Sequence, residues 1–213
     1  MDAAALIPIK AFSEAKARLS GALAPAERQC LARWTAARVV RAADGLPVFV
    51  ACDDDEVAAW SIAHGATVLW QAGKGLNNAV DDAVADLARQ GCPHVVVAHA
   101  DLARPTSLAT VVRAGTITLV PDQRDDGTNV MSFPTGCEMR AAYGAGSFHR
   151  HLALALSIRS NAVPPVIMVE VRRDVMLSLD IDTPADLLHP LVKEVLPAWL
   201  PTNPANPTSH DQR

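Results

Sequence analysis

Three cations, Lys10, Lys16 and Arg18, stand within nine residues, in Ile7-Pro8-Ile9-Lys10 and Ala15-Lys16-Ala17-Arg18-Leu19-Ser20. Ammonium and guanidinium groups make charge-assisted hydrogen bonds to phosphate oxygens, so such a set suits a triphosphate and a pyrophosphate leaving group. A solvated basic loop would carry the same residues, because no glycine-rich phosphate loop accompanies them. An acidic set complements them. Asp101 ends the apolar run Val95-Val96-Val97-Ala98-His99-Ala100, and Asp180 and Asp182 are two residues apart. In extended chain that spacing puts both carboxylates on one face, a geometry that clamps a hard divalent cation with oxygen ligands. Asp182 also directly precedes Thr183-Pro184, which is where a helix N-cap would stand.

Two polar, glycine-containing turns read as anion sites. Asp125-Asp126-Gly127-Thr128-Asn129 opens a strand, and Tyr143-Gly144-Ala145-Gly146-Ser147-Phe148 precedes a helix. Their glycines let backbone N–H groups approach a carboxylate or phosphate, and Ser147 puts a hydroxyl beside the positive end of the helix. Purely structural turns use the same residues. His149 and His151 fall on different faces of that helix and lack the spacing of a metal pair, so both read as structural or supporting. No serine lies in a nucleophile elbow and no cysteine has an evident base, which disfavours hydrolysis through a covalent intermediate.

These residues need elements to hold them, and the chain supplies an alternating series. Strand-like apolar runs at 4–9, 48–52, 66–70 and 94–98 are separated by helical patterns at 25–43, 54–63 and 77–89. Such a series predicts an α/β fold with a mainly parallel sheet, whose ligands lie beyond the carboxyl ends of the strands. Later segments are richer in strands, at 117–120, 128–133, 166–171 and 177–180, with one helix at 147–157, so a mixed sheet is expected.

Half of the 213 residues are hydrophobic, enough to bury one sizeable core, and residues 1–200 read as one domain. The proline- and asparagine-rich segment 201–213 reads as a disordered tail. A net charge of -4 without a basic patch argues against nucleic acid as a partner. Cys30, Cys52, Cys92 and Cys137 are widely spaced, as small buried hydrophobes in a reducing compartment would be. Neither a secretory signal nor a membrane span is evident, so the expectation is a cytoplasmic protein with no membrane partner.

Seven strings, in order, resemble the CofC/FbiD family: Pro8-Ile9-Lys10, Ala15-Lys16-Ala17-Arg18-Leu19, Gly75-Leu76-Asn77-Asn78-Ala79, Ala100-Asp101-Leu102, Asp126-Gly127-Thr128-Asn129, Tyr143-Gly144-Ala145-Gly146-Ser147-Phe148 and Asp180-Ile181-Asp182-Thr183-Pro184-Ala185-Asp186-Leu187. Enzymes of that family activate 2-phospholactate, phosphoenolpyruvate or 3-phosphoglycerate with GTP on the way to the deazaflavin coenzyme F-420. The resemblance implies a three-layer α/β/α nucleotidyltransferase fold of GT-A or Rossmann-like type. It implies Mg²⁺ held by Asp101, Asp180 and Asp182, and an acceptor carboxylate and phosphate held by Thr128, Gly144 and Ser147. Lys10, Lys16 and Arg18 would hold GTP phosphates, Pro8 would border the nucleotide, and the Gly75-Leu76-Asn77 turn would edge its pocket with the Asn77 amide toward guanine or ribose. Relatives usually carry Gly-Asp-Leu-Pro at the first aspartate, where this chain has Ala100-Asp101-Leu102-Ala103.

The implied reaction transfers GMP to the acceptor phosphate, and it points to a downstream transferase that consumes the product as a partner. Two rivals stand beside it: a nucleotidyltransferase using another base or acceptor, and a catalytically silent nucleotide-binding module.

Overall fold

The computed structural model describes residues 1–161, 166 and 168–200. The segment 201–213, expected to be a disordered tail, lies outside the described residues. The sheet has seven strands: β1 (Ala4–Pro8), β2 (Val48–Cys52), β3 (Thr67–Trp70), β4 (His94–Ala98), β5 (Thr116–Pro121), β6 (Thr128–Pro134) and β7 (Met168–Val171). Their order is β3-β2-β1-β4-β6-β5-β7. β6 pairs antiparallel with both β4 and β5, and every other pairing is parallel. The expected α/β class and the mixed, mainly parallel sheet are therefore observed.

Alternation along the strands creates the three layers. On β1, Ala4 and Leu6 face a core shared with Val80, Ala83 and Leu87 of α3 (Gly75–Arg89), and with Phe148 and Ala155 of the helix Ser147–Asn161. Ala5 and Ile7 face the other way, onto Ala36 and Val39 of α1 (Pro25–Ala42) and Val57 of α2 (Asp55–Ala63). Ser147–Asn161 is α4. Because the inner strands are covered on both faces, they are continuous apolar runs, as in Val95-Val96-Val97. Pro25 opens α1, and Glu27 returns to accept a 2.7 Å bond from the Ala24 N–H, satisfying a donor that the helix leaves free.

A third, smaller core lies at the carboxyl end of the sheet. Leu19, Ala103, Leu179, Ile181, Leu187 and Val192 gather there, the last two from the single-turn helices α5 (Pro184–Leu187) and α6 (Pro190–Lys193). Arg18, Asp101, Asp180 and Asp182 are sequence neighbours of these apolar residues, so this core holds their loops together.

The segment 177–180 departs from the expected strand. Asp174 Oδ1 accepts from the N–H groups of Met176 and Leu177, and the Ser178 N–H reaches Asp174 O at 2.9 Å, which coils the chain into a turn. Only Asp180 keeps a strand contact, as an isolated antiparallel bridge to Leu102. In the expected strand 166–171, Met168–Val171 is extended, Val166 is not in a strand, and residue 167 is not described.

Candidate active site

Asp101 leaves the sheet one turn after β4, and the 179–181 segment runs against it. The Ile181 N–H donates to Asp101 O at 3.1 Å, and the Ala103 N–H donates to Leu179 O at 2.8 Å. A proline at the Ala103 position, usual in relatives, has no N–H and could not make the second bond. Leu179 and Ile181 are fully buried in the third core, while Asp180 and Asp182 alternate with them. The alternation of apolar and acidic residues is thus kept without a strand.

The electrostatics at this meeting point are unbalanced. Burial, and next the charge of Asp101, push the Asp180 carboxyl up to about 7. Burial alone would raise Asp101 as well, but Lys16 and His99 hold it below the usual carboxylate range. Lys16 Nζ lies 3.3 Å from Asp101 Oδ2, and the Lys16 side chain is nearly buried. Asp101 Oδ1 is sealed from the surface without a hydrogen-bond partner. Asp182 is turned instead to Arg18, at 2.7 Å.

A divalent cation fits the Asp101–Asp180 pair, since it would give the orphaned oxygen a partner and relieve the repulsion between the carboxylates. Among the described residues, no three His, Cys, Asp or Glu side chains form a closed metal cage. That donor set suits Mg²⁺, which is commonly bound by one or two carboxylates with substrate phosphates completing its shell.

The opposite wall is built on the turn 126–129. The Gly146 N–H donates to both carboxylate oxygens of Asp126 at 3.1 Å, and the Phe148 N–H donates to Asp126 O at 2.9 Å. Thr128 opens β6, and its N–H donates to Ser147 Oγ at 3.1 Å. Asn129 Nδ2 donates to Leu177 O and, at 3.3 Å, to Asp180 Oδ1, which couples this turn to the acidic pair. Gly144 has φ +121°, a backbone state that side chains rarely tolerate, and Ser147 is the first residue of α4. Thr128, Gly144 and Ser147 therefore share one wall.

The remaining candidates are arranged differently. Pro8 ends β1, and Lys10 is exposed just beyond it. Lys16 adopts a left-handed φ of 57° between two 3-10 turns, a conformation that turns its side chain inward while Arg18 stays open to solvent. Gly75-Leu76-Asn77 is the first turn of α3 rather than a loop before it, so that helix starts earlier than expected. The Asn77 amide, expected toward guanine or ribose, is engaged within the protein. Its Oδ1 accepts from the Tyr143 N–H at 2.7 Å and its Nδ2 faces Tyr143 O at 3.4 Å, so it pins the 143–147 turn to α3. Thr183, not Asp182, is the N-cap of α5.

The chain matches the family described as "Guanylyl transferase CofC like" over residues 3–194. It belongs to that family. This CofC-family chain is 36% identical over 205 residues to the phosphoenolpyruvate guanylyltransferase of Streptomyces coelicolor, covering 90% of this chain and 91% of the relative. It is 35% identical to the protein of the same name from Sphaerobacter thermophilus, over 88% of this chain and 91% of the relative. A candidate nucleotide-diphospho-sugar transferase from Desulfovibrio desulfuricans shares the fold, with a TM-score of 0.67 at 15% identity over 90% of this chain and 88% of that one. This CofC-family chain is a guanylyl transferase with a nucleotidyltransferase fold.

Several supporting residues escaped sequence reasoning. Asp186 accepts from the Asp182 N–H, the Thr183 N–H and hydroxyl, and Arg124, so it shapes the loop that carries Asp182. Asn129 likewise acts through Asp180, 51 residues away, whereas His151, which bonds Thr128 23 residues away, has the supporting role expected of it. The capping spacing from Thr183 to Asp186 was the one available signal.

Proposed function

We propose that this guanylyl transferase is Mg²⁺-dependent and acts on phosphoenolpyruvate or a closely similar phosphorylated carboxylic acid. Lys10, Lys16 and Arg18 face the GTP phosphates, Asp101 and Asp180 would hold the metal, and Thr128, Gly144 and Ser147 receive the acid. Asp182, the third aspartate implied by the resemblance, lies two residues from Asp180 and is bound to Arg18. The observation that carries this reading is the crowding of two partly buried carboxylates, one with an orphaned oxygen, beside a nearly buried lysine. The acceptor class is supported by the relatives' names, which include a 2-phospho-L-lactate guanylyltransferase of Methanocaldococcus infernus at 27% identity.

An oxygen of the acceptor phosphate attacks the α-phosphorus of GTP in line. The bond from that phosphorus to the bridging oxygen breaks, and pyrophosphate leaves with the oxygen. A phosphate dianion needs no base near neutral pH, so the barrier is misorientation and repulsion between anions. Lys16 and Arg18 lower the repulsion, and the hydroxyls of Thr128 and Ser147 orient the acid. Mg²⁺ bound at the aspartates would neutralise triphosphate charge. The product carries a phosphoric anhydride, which a downstream transferase must consume.

The test is mass spectrometry of reactions with GTP and, in turn, phosphoenolpyruvate, 2-phospho-L-lactate and 3-phosphoglycerate. A GMP adduct of one acid, lost with EDTA and restored by Mg²⁺, is expected. Equal turnover with CTP, or pyrophosphate release without any acid, overturns the reading, and activity undiminished by EDTA removes the metal from it.

A further inference from the structure

His151 lies on α4, fully buried, and both of its ring nitrogens are engaged. The Ala142 N–H points at Nε2 at 2.8 Å, and Nδ1 lies 2.9 Å from Thr128 Oγ1. A backbone N–H can only donate, so Nε2 must be the acceptor and carries no proton. A neutral imidazole keeps one proton, which must then sit on Nδ1 and be donated to Thr128 Oγ1. With the His151 N–H filling one lone pair of its oxygen, the Thr128 hydroxyl has its own proton left to give, and no protein acceptor for that proton is present among the described residues. The relation repeats one step on, because the Thr128 N–H donates to Ser147 Oγ and leaves the Ser147 proton free in turn.

We propose that His151 is a positioning residue that, through a relay from Ala142 to Thr128, commits the acceptor site to presenting hydroxyl protons and so selects an anionic ligand, the carboxylate or phosphate of the acid. The inference rests on the assignment of Thr128 and Ser147 to the acceptor. An anion meets donors already aimed at it, whereas a neutral group that must itself donate finds one of the two lone pairs of each hydroxyl oxygen already taken. Tyr143 packs between His99 and His151, at 4.6 and 5.0 Å between ring centroids, and holds the imidazole plane in place. No residue of this relay acts on the reacting phosphorus.

Two measurements test it. Nitrogen-15 NMR of the full-length enzyme at neutral pH should show His151 as the Nδ1–H tautomer, and the Nε2–H tautomer overturns the relay. Steady-state kinetics then separate a relay from a packing role. His151→Leu should raise KM for the phosphorylated acid about tenfold, with KM for GTP unmoved. His151→Asn, whose amide can still donate to Thr128, should recover most of that loss. In a Thr128→Val background, His151→Leu should add nothing further to KM for the acid, whereas additive effects overturn the relay. If Thr128→Val alone leaves that KM unchanged, the acceptor assignment falls and the relay with it. If Thr128→Val raises it and His151→Leu does not, the relay alone falls.

Discussion

The two walls of the site are built on opposite principles. On the cation side, the Arg18 side chain is 75% exposed and meets Asp182 in solvent, and Lys10 is exposed beyond β1. On the proposed acceptor side, Thr128, Ser147 and His151 are 1%, 2% and 0% exposed and are joined by hydrogen bonds of 2.9 and 3.1 Å. A flexible, highly charged triphosphate can be gathered by charges that adjust to it, at the cost of screening by salt. A small acid that must present one phosphate oxygen in line needs donors whose directions are set beforehand. Lys16 is the exception on the cation side, because its burial against Asp101 ties it to the acidic pair.

The largest expected break comes from the place where the walls join. Asp101→Asn removes charge that an amide cannot supply, and should cut kcat by about 100-fold or more, measured as pyrophosphate release at saturating Mg²⁺, with the melting temperature little changed. An unchanged kcat would take Asp101 out of the reaction.

Acid should damage the directional parts of the fold before it affects exposed charge. Burial lowers both His94 and His151 to about 4 from an ordinary value near 6.5. Both are neutral in the folded state, so the unfolded chain binds more protons in between. The stability they contribute is complete above about pH 6.5 and is lost as pH falls toward 4, on the order of 3 kcal/mol for each histidine at most. Urea titrations from pH 7 to 4 should show that slope, and a His94→Gln variant should flatten it.

Next in size is a division between substrates. Thr128→Val should cost about 1 to 3 kcal/mol, seen as a raised KM for the acid with GTP binding nearly unchanged. Lys16→Ala should instead raise KM for GTP. Titrating each variant with both substrates checks the assignment, and reversed defects would mean that the two walls are exchanged.

The smallest effect belongs to the exposed pair. Arg18→Ala should change stability by less than about 1 kcal/mol, because solvent and salt screen its bond to Asp182. Its KM for GTP should rise more at low salt than at high salt. A salt-independent defect would show that Arg18 acts as a directional ligand, like the residues of the acceptor wall.

Much of this was legible in the residues themselves. Apolar runs such as 48–52 and 94–98 announce strands covered on both faces, and the helical spacing between them sets the parallel half of the sheet. Asp101 could be placed just beyond a strand end by counting along the chain. The Leu177 to Asp180 stretch misled because its apolar residues serve two cores from a turn, Leu177 the second and Leu179 the third, and the Asp174 carboxylate two and three residues back captures backbone N–H groups that a strand would have paired. The composition of that stretch is the same in either case.

What the sequence determined by itself is therefore local: which segments extend or coil, and which residue types stand at their ends. Only the tertiary structure decided that the chain beside Asp101 meets Asp180 through an isolated Leu102–Asp180 bridge, that Asn77 holds Tyr143, and that His151 reaches Thr128. The reason is physical. A hydrogen bond is set by distances of about 3 Å and by which partner can donate, and neither quantity is encoded in the separation of two residues along a chain.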